Sequence, residues 1–228
     1  MSMKKIVILS GSPKAPGKAA SDLLAKTAAE VFQEDGTRPR VISVRRTLDR
    51  NHTEQAFAEM AEADALVIIF PLYIFCLPGI LMRFLQLYKG YVDAQPEAKR
   101  EIPVYAVANC GFPEPHINEE AVRVIGQFAK AVGGRLRFGV MIGGGGMYGY
   151  PAPPVRKRLE EFRSAVRRMR TDIASGDTSP ASDILIQSPV GRRLYFTMGN
   201  MGWKLQARKN GKKKVDLYAK PYQPAENH

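Results

Sequence analysis

Twelve residues near the start of the chain, Ser10-Gly11-Ser12-Pro13-Lys14-Ala15-Pro16-Gly17-Lys18-Ala19-Ala20-Ser21, combine three hydroxyls, two glycines and two lysines. That mixture suits a phosphate. A phosphate needs several short donors converging on it, and exposed backbone N–H groups, small hydroxyls and a helix N-terminus supply them. Gly11 and Gly17 allow close approach, Ser10, Ser12 and Ser21 can donate, and Pro13 stiffens the turn. The loop is not a Walker lysine loop: five residues separate Gly11 from Gly17, and Ala19 rather than a hydroxyl residue follows Lys18. It also lacks the dinucleotide GxGxxG spacing. The bland alternative is a plain strand-to-helix turn capped by serine.

Three later loops carry the other candidates. Pro71-Leu72-Tyr73-Ile74-Phe75-Cys76-Leu77-Pro78 is apolar and aromatic, and serves either as a slot for a planar ligand or as core packing. Cys76 reads as a small buried apolar residue before it reads as a redox thiol. Asn109-Cys110-Gly111-Phe112-Pro113-Glu114-Pro115-His116 offers Asn109 and the N–H groups of Cys110 and Gly111 as a polar rim. Glu114 could act as an acid or base, and His116 reads first as a surface residue at a helix start. Gly143-Gly144-Gly145-Gly146-Met147-Tyr148-Gly149-Tyr150-Pro151 permits close backbone approach, with Tyr148 and Tyr150 as covers or gates. Its bland reading is a mobile connector.

The elements between these loops alternate. Lys4–Leu9, Arg40–Val44, Ala65–Phe70, Ile102–Ala108 and Leu136–Ile142 are strand-like apolar runs. Helical spacing occupies Ala20–Phe32, Thr53–Ala63, Pro78–Tyr91, Ile117–Val132 and a stripe from Val155 to Ile173. Alternating strand and helix argue for a parallel sheet with helices on both faces. Ala65–Phe70 shows no polar alternation, as expected of a strand buried on both sides. Ligands of such sheets sit at the carboxyl ends of the strands, which is where all four loops fall. Residues 1–175 are therefore expected to form one domain. Ser175–Pro189, rich in Ser, Asp, Pro and Gly, reads as a linker that leads into a basic extension, 176–228. Val190, Leu194, Met198, Met201 and Leu205 suggest an amphipathic helix there, interrupted by Gly199 and Gly202.

The chain has 228 residues, 45% of them hydrophobic, enough for a substantial core without staples. Two cysteines, Cys76 and Cys110, exclude a disulfide scaffold and an iron–sulfur cluster held by cysteine alone. Ile6–Leu9 is too short for a signal-peptide core, and the stretch Ala65–Met82 is broken by two prolines and a glycine. A cytoplasmic protein is expected. The net charge is +12, and nine Lys/Arg against two acids in Pro189–His228 supply +7 of it. Such a surface favours anionic partners. Lys209–Lys214 reads either as a solvated segment or as a patch for an anionic membrane, with nucleic acid the less favoured partner.

The opening Lys4–Lys14 with Gly17 and Ser21 resembles the start of the flavodoxin-like NAD(P)H-dependent FMN reductases and NAD(P)H oxidoreductases. Ala63–Tyr73 and Leu77–Leu85 resemble later segments of the same family, and the resemblance spans about residues 4–175. It implies a three-layer sandwich with a five-stranded parallel sheet of order 2-1-3-4-5. It also implies FMN as cofactor, NADPH or NADH as electron donor, a small-molecule electron acceptor and a homodimer. The FMN phosphate would lie on Ser10, Ser12, Pro13, Gly17, Lys18 and Ser21. The ring would lie against Pro71, Leu72, Tyr73, Ile74 and Phe75 on one side, and against Asn109, Cys110, Gly111, Phe112 and Gly144 on the other. The family commonly has Asn-Thr or Asn-Ser after the loop glycine, where this chain has Lys18-Ala19-Ala20, so the hydroxyl role moves to Ser21. No protein acid is implied, because the flavin carries the hydride. Two other functions fit the same fold: a flavodoxin-type electron carrier, against which the positive charge counts, and a peripheral binding protein that uses the basic tail.

Overall fold

The computed structural model describes residues 4–15, 17, 19–98, 100–150 and 152–219, which fall into two compact units dividing between Pro189 and Val190. The first unit holds β1 (Ile6–Ser10), α1 (Ala20–Gln33), β2 (Arg40–Ser43), α2 (Val44–Asp49), α3 (Thr53–Ala61), β3 (Ala65–Pro71) and α4 (Gly79–Ala94). It continues with β4 (Pro103–Asn109), α5 (Glu119–Ala131), β5 (Arg135–Ile142), α6 (Pro153–Ser175) and β6 (Ile184–Ile186). All strand pairs are parallel, in the order β2-β1-β3-β4-β5-β6.

The expected order 2-1-3-4-5 is thus present, with a sixth strand added at its edge. Ile184-Leu185-Ile186 lies inside the stretch expected to be a linker. Three apolar residues among Ser, Asp and Pro are too few to show a period. The partner strand makes this a strand, as Val140, Met141 and Ile142 of β5 align with Ile184, Leu185 and Ile186. Asp183 Oδ1 reinforces the join by accepting from the Gly139 N–H at 2.6 Å.

Apolar side chains pack on both faces of the sheet, which explains the unbroken apolar runs. One face carries α1 and α6, whose Leu24, Phe32, Phe162 and Met169 pack with Ile8, Val67 and Val140. The other carries α3, α4 and α5, whose Phe57, Phe84, Leu85 and Ile125 pack with Leu9, Ile68 and Ala106. The apolar helix α4 therefore buries Leu81, Phe84, Leu85, Tyr88 and Val92 within the chain and leaves Leu87 exposed. One short helix, α2, is an addition to the sequence reading. Its start is set by Ser43, whose Oγ accepts from the Arg46 N–H.

A buried polar staple fixes α6 to the sheet. Arg137 of β5 grips Asp172 of α6 with two hydrogen bonds, of 2.8 and 2.7 Å, and donates to the Ser179 carbonyl at 2.8 Å. The Tyr105 hydroxyl of β4 donates to the same carboxylate at 2.6 Å.

The second unit contains α7 (Arg192–Lys209) and a short 3-10 turn at Lys214–Tyr218. Helix α7 runs through Gly199 and Gly202 without a break. A glycine costs a helix interior about 1 kcal/mol, which weakens a helix without ending it. Among the described residues, no helix is long and apolar enough to cross a membrane.

Candidate functional site

Strand register brings the loops together. Ser10 aligns with Ile69, and Pro71, Asn109 and Ile142 align across three adjacent strands. The chain leaves all four strands at one sheet edge, and backbone hydrogen bonds then tie each loop to its neighbour. Gly11 N–H donates to the Ile69 carbonyl at 2.8 Å, and Leu72 N–H to that of Asn109 at 2.8 Å. Cys110 N–H donates to the Ile142 carbonyl at 3.0 Å, and Gly145 N–H to that of Cys110 at 2.7 Å.

Between the loops lies a cleft of about 870 Å³, within the size range of small-molecule and cofactor sites. One end is polar. Ser12 and Ser21 line it, both buried. Ser12 Oγ accepts from the Lys14 N–H at 3.2 Å, and Ser21 Oγ accepts from Asn109 Nδ2 at 2.9 Å. A hydroxyl that accepts in this way keeps its own proton to give. Ala19, the N-cap of α1, brings no side-chain oxygen to the first turn; its carbonyl accepts from the Asp22 and Leu23 N–H groups. Lys14 and Arg156 add positive charge to the lining. Hydroxyl donors and cations of this kind suit an anion.

The other end is apolar and aromatic, with Pro71, Leu72, Tyr73, Tyr148 and Tyr150 in the lining. Tyr148 is only 2% exposed. Burial pushes its phenol well above the usual tyrosine range, and its hydroxyl has no hydrogen-bond partner among the described residues. Cys110 also lines the cleft. Its thiol points at the carbonyls of Phe112 and Glu114, and burial pushes it up. Asn109 Nδ2 holds the two ends in register by donating to the Phe70 carbonyl at 3.0 Å as well as to Ser21. Gly145 lies so close that a Cβ there would meet Asn109 Oδ1 at 2.7 Å.

Of the residues anticipated as ligand contacts, Ser12, Gly17, Ser21, Pro71, Leu72, Tyr73, Asn109, Cys110 and Gly111 all line this cleft. Lys18 lies outside the described residues. Ser10, Pro13, Ile74, Phe75, Phe112 and Gly144 do not line it. The Ser10 hydroxyl donates to Asp22 Oδ1 at 2.7 Å, and Gly17 N–H donates to Oδ2 at 2.8 Å. Asp22 thereby clamps the loop from behind, and Ser10 positions the loop. The Pro13 carbonyl accepts from Arg45 at 2.7 Å. Gly144 has φ +68°, and a Cβ there would meet Ser188 Oγ at 2.6 Å; it turns the chain behind the cleft.

Ile74 and Phe75 form the tip of a tight hairpin. Tyr73 and Cys76 exchange backbone hydrogen bonds of 2.9 and 3.0 Å, with φ +49° at Ile74 and +57° at Phe75. Two left-handed central residues define the turn that suits strand twist, normally built from Asn and Gly. With Ile and Phe there, the turn is strained. Ile74 is 95% exposed. Phe75 stacks on Phe112 at 5.9 Å, beside the cleft.

Lys14, Gly146, Tyr148, Tyr150, Arg156 and Leu159 are among the other residues of the lining. The first four sit in loops singled out by sequence. Arg156 and Leu159 carry no local signal, because they reach the site through the packing of α6 beside α1. Glu114 and His116 stay outside. Among the described residues, no carboxylate and no histidine lines the cleft, and no cluster of His, Cys, Asp and Glu could hold a metal ion.

A family model described as "Flavodoxin-like fold" matches residues 4–88. The chain has the flavodoxin-like fold. Solved structures agree over more of its length. An NAD(P)H:quinone oxidoreductase from Methanothermobacter marburgensis is 18% identical with a TM-score of 0.57, over 75% of this chain and 96% of that one. An NADPH-quinone reductase from P. pentosaceus is 16% identical with a TM-score of 0.54, over 72% and 98%. An NADH:FMN oxidoreductase is 19% identical with a TM-score of 0.53, over 84% and 98%. At these identities the likeness is one of fold. No curated protein matches the sequence. In the flavodoxin-like unit the cleft occupies the carboxyl ends of β1, β3 and β4, where a doubly wound sheet takes its ligand.

Proposed function

We propose that this protein is an FMN-dependent NAD(P)H oxidoreductase that passes hydride or electrons to a quinone, flavin or similar small acceptor. The observation that carries this reading is the composition of the cleft: an anion-binding end, an aromatic end, and no carboxylate or histidine among its described lining residues. Such a cleft binds and orients a planar phosphorylated ligand and offers it no carboxylate or imidazole for proton transfer. FMN fits that donor set. When bound, it supplies the hydride chemistry itself.

The chain's own residues have definable tasks. Ser12 and Ser21 would donate hydrogen bonds to the phosphate, while Lys14 and Arg156 would balance its charge. Leu72, Tyr73 and Tyr150 would flank the ring and keep water from it. Tyr148 and Cys110, with raised pKa values, stay neutral near pH 7, so the ring end keeps a constant charge across the physiological range. The strained hairpin at Ile74 and Phe75 holds Tyr73 at the cleft wall.

The visible spectrum of the purified protein tests the proposal. A yellow protein that bleaches on anaerobic addition of NADPH or NADH is the expected result. A yellow protein that neither nucleotide reduces would instead be an electron carrier. A colourless protein that cannot be reconstituted with FMN would refute the reading.

A further inference from the structure

On the far side of the Ser10–Ser21 loop from the cleft lies a second concavity, of about 560 Å³. Its walls come from one side of α1 (Asp22, Ala25, Lys26, Ala29), the edge strand β2 (Arg40 to Ser43) and the segment from Arg46 to Ala56. Gly17 lines both concavities, so the loop is the wall between them. Ser10 and Ser43 end their strands here, which places the groove at the same carboxyl edge of the sheet as the cleft.

Four cations line the groove: Lys26, Arg40, Arg46 and Arg50. Arg40 is paired with Glu59 at 2.6 Å. Among the described residues, Lys26, Arg46 and Arg50 have no carboxylate within ion-pairing distance. Their situation differs from that of the arginines of α6, where Arg163, Arg167 and Arg170 all pair with Glu30, Glu34 or Asp35. Arg46 lies on α2, and Arg50 caps its C-terminus with its N–H on the Arg46 carbonyl. Lys26 faces the same groove from α1. The one carboxylate in the lining, Asp22, already accepts from Ser10 and Gly17. Ser43 Oγ accepts from the Arg46 N–H and keeps its own proton, and Thr47 adds a second hydroxyl to the lining. The position of α2 is fixed as well, because Arg45 reaches from it to the Pro13 carbonyl at 2.7 Å.

Three cations that have no ion pair among the described residues thus share one groove with two hydroxyls, and its one carboxylate is already engaged. We infer that this groove is a second phosphate-binding site, separate from the cleft. Two sources of phosphate fit: the phosphorylated adenosine end of a dinucleotide, or a free anion. The dinucleotide source rests on the oxidoreductase reading of the cleft, whereas the site itself does not.

Calorimetric titration of the intact protein decides the matter, with adenosine 2′,5′-bisphosphate in one arm and inorganic phosphate in the other. Binding of the bisphosphate alone assigns the groove to a nucleotide; equal binding of both assigns it to a free anion. In either case Arg46→Ala/Arg50→Ala is expected to weaken binding by at least about tenfold, the loss of roughly one charged hydrogen bond. Lys26→Ala is expected to weaken it further, and salt to weaken it throughout. These side chains are exposed, so the variants are expected to fold. Unchanged affinity in the arginine variant, or loss of binding in Ser12→Ala/Ser21→Ala instead, would place the anion in the cleft and overturn the inference, as would no binding of either probe. Flavin absorbance of the same samples reads the cleft independently. A protein that fails to hold FMN yet binds the bisphosphate through Arg46 and Arg50 would refute the first reading and leave this one standing.

Discussion

Replacing Asp172 with alanine removes the centre of the staple that holds α6 on the sheet. The Arg137 side chain is 4% exposed and that of Asp172 12%. Without the carboxylate, the guanidinium keeps only the Ser179 carbonyl, and the Tyr105 hydroxyl loses its acceptor. Breaking one partner of a buried pair costs about 3–5 kcal/mol, because the other charge stays buried. A domain's whole stability is about 5–15 kcal/mol, so Asp172→Ala is expected to lower the urea midpoint strongly at pH 7, with little change in slope. Two controls sharpen the test. Arg137→Met/Asp172→Leu removes both charges and is expected to recover much of the loss. The pH dependence has a definite sign. Hydrogen bonds from Arg137, then from Tyr105, outweigh burial and hold the Asp172 carboxyl below its ordinary value of 3.8. Its stabilisation is therefore complete above the unfolded value, about 3.9, and disappears as pH falls through the lower folded one. Wild type and Asp172→Asn should converge in stability over that acid range. A loss below about 1 kcal/mol at neutral pH, typical of a surface pair, would refute the reasoning, as would a gap between wild type and Asp172→Asn that does not narrow in acid.

Ser12→Ala and Ser21→Ala are each expected to weaken FMN retention by about tenfold, the worth of one hydrogen bond to a charged group; equilibrium dialysis read by flavin fluorescence checks this, and unchanged affinity in both would move the phosphate elsewhere. Tyr148→Phe removes a buried hydroxyl that has no partner among the described residues, so chemical denaturation should show it to be neutral or slightly stabilising. A loss of more than about 1 kcal/mol would reveal a bond to that oxygen. Trp203 is the only tryptophan of the chain and is exposed on α7 beside Lys204, near Arg208 and Lys209. Vesicles of phosphatidylserine with phosphatidylcholine are expected to shift its emission to the blue, and phosphatidylcholine alone to leave it unchanged. The same emission in both would remove the membrane as a partner of the basic tail.

Local signals in the sequence settled much of this protein. Unbroken apolar runs such as Ile6–Leu9 and Ala65–Phe70 specified strands covered on both faces, and their alternation with 3.6-residue stripes specified a parallel sheet. The resemblance supplied the strand order, and the sheet has it. Because parallel strands release their loops at one edge, sequence order alone was enough to gather Ser12, Ser21, Tyr73, Asn109 and Tyr148 around one cleft.

Only the tertiary structure decided features that depend on a neighbour distant in sequence. Ile184–Ile186 becomes a strand because β5 presents it a free edge; three residues have no period of their own. Ser10 and Ser21 look equivalent in the loop. Asp22 takes the first as a donor, and Asn109, 88 residues from Ser21, donates to the second and leaves its proton for a ligand. Arg156 enters the lining through the packing of α6 beside α1. Lys26, Arg46 and Arg50 meet because α1 and α2 flank the same edge strand. A periodic pattern reports which face of a segment is buried, and it holds no information about which other segment covers that face. The twelve-residue loop suggested an anion site from its own residues, whereas which serine holds the loop and which keeps a proton to donate came from packing.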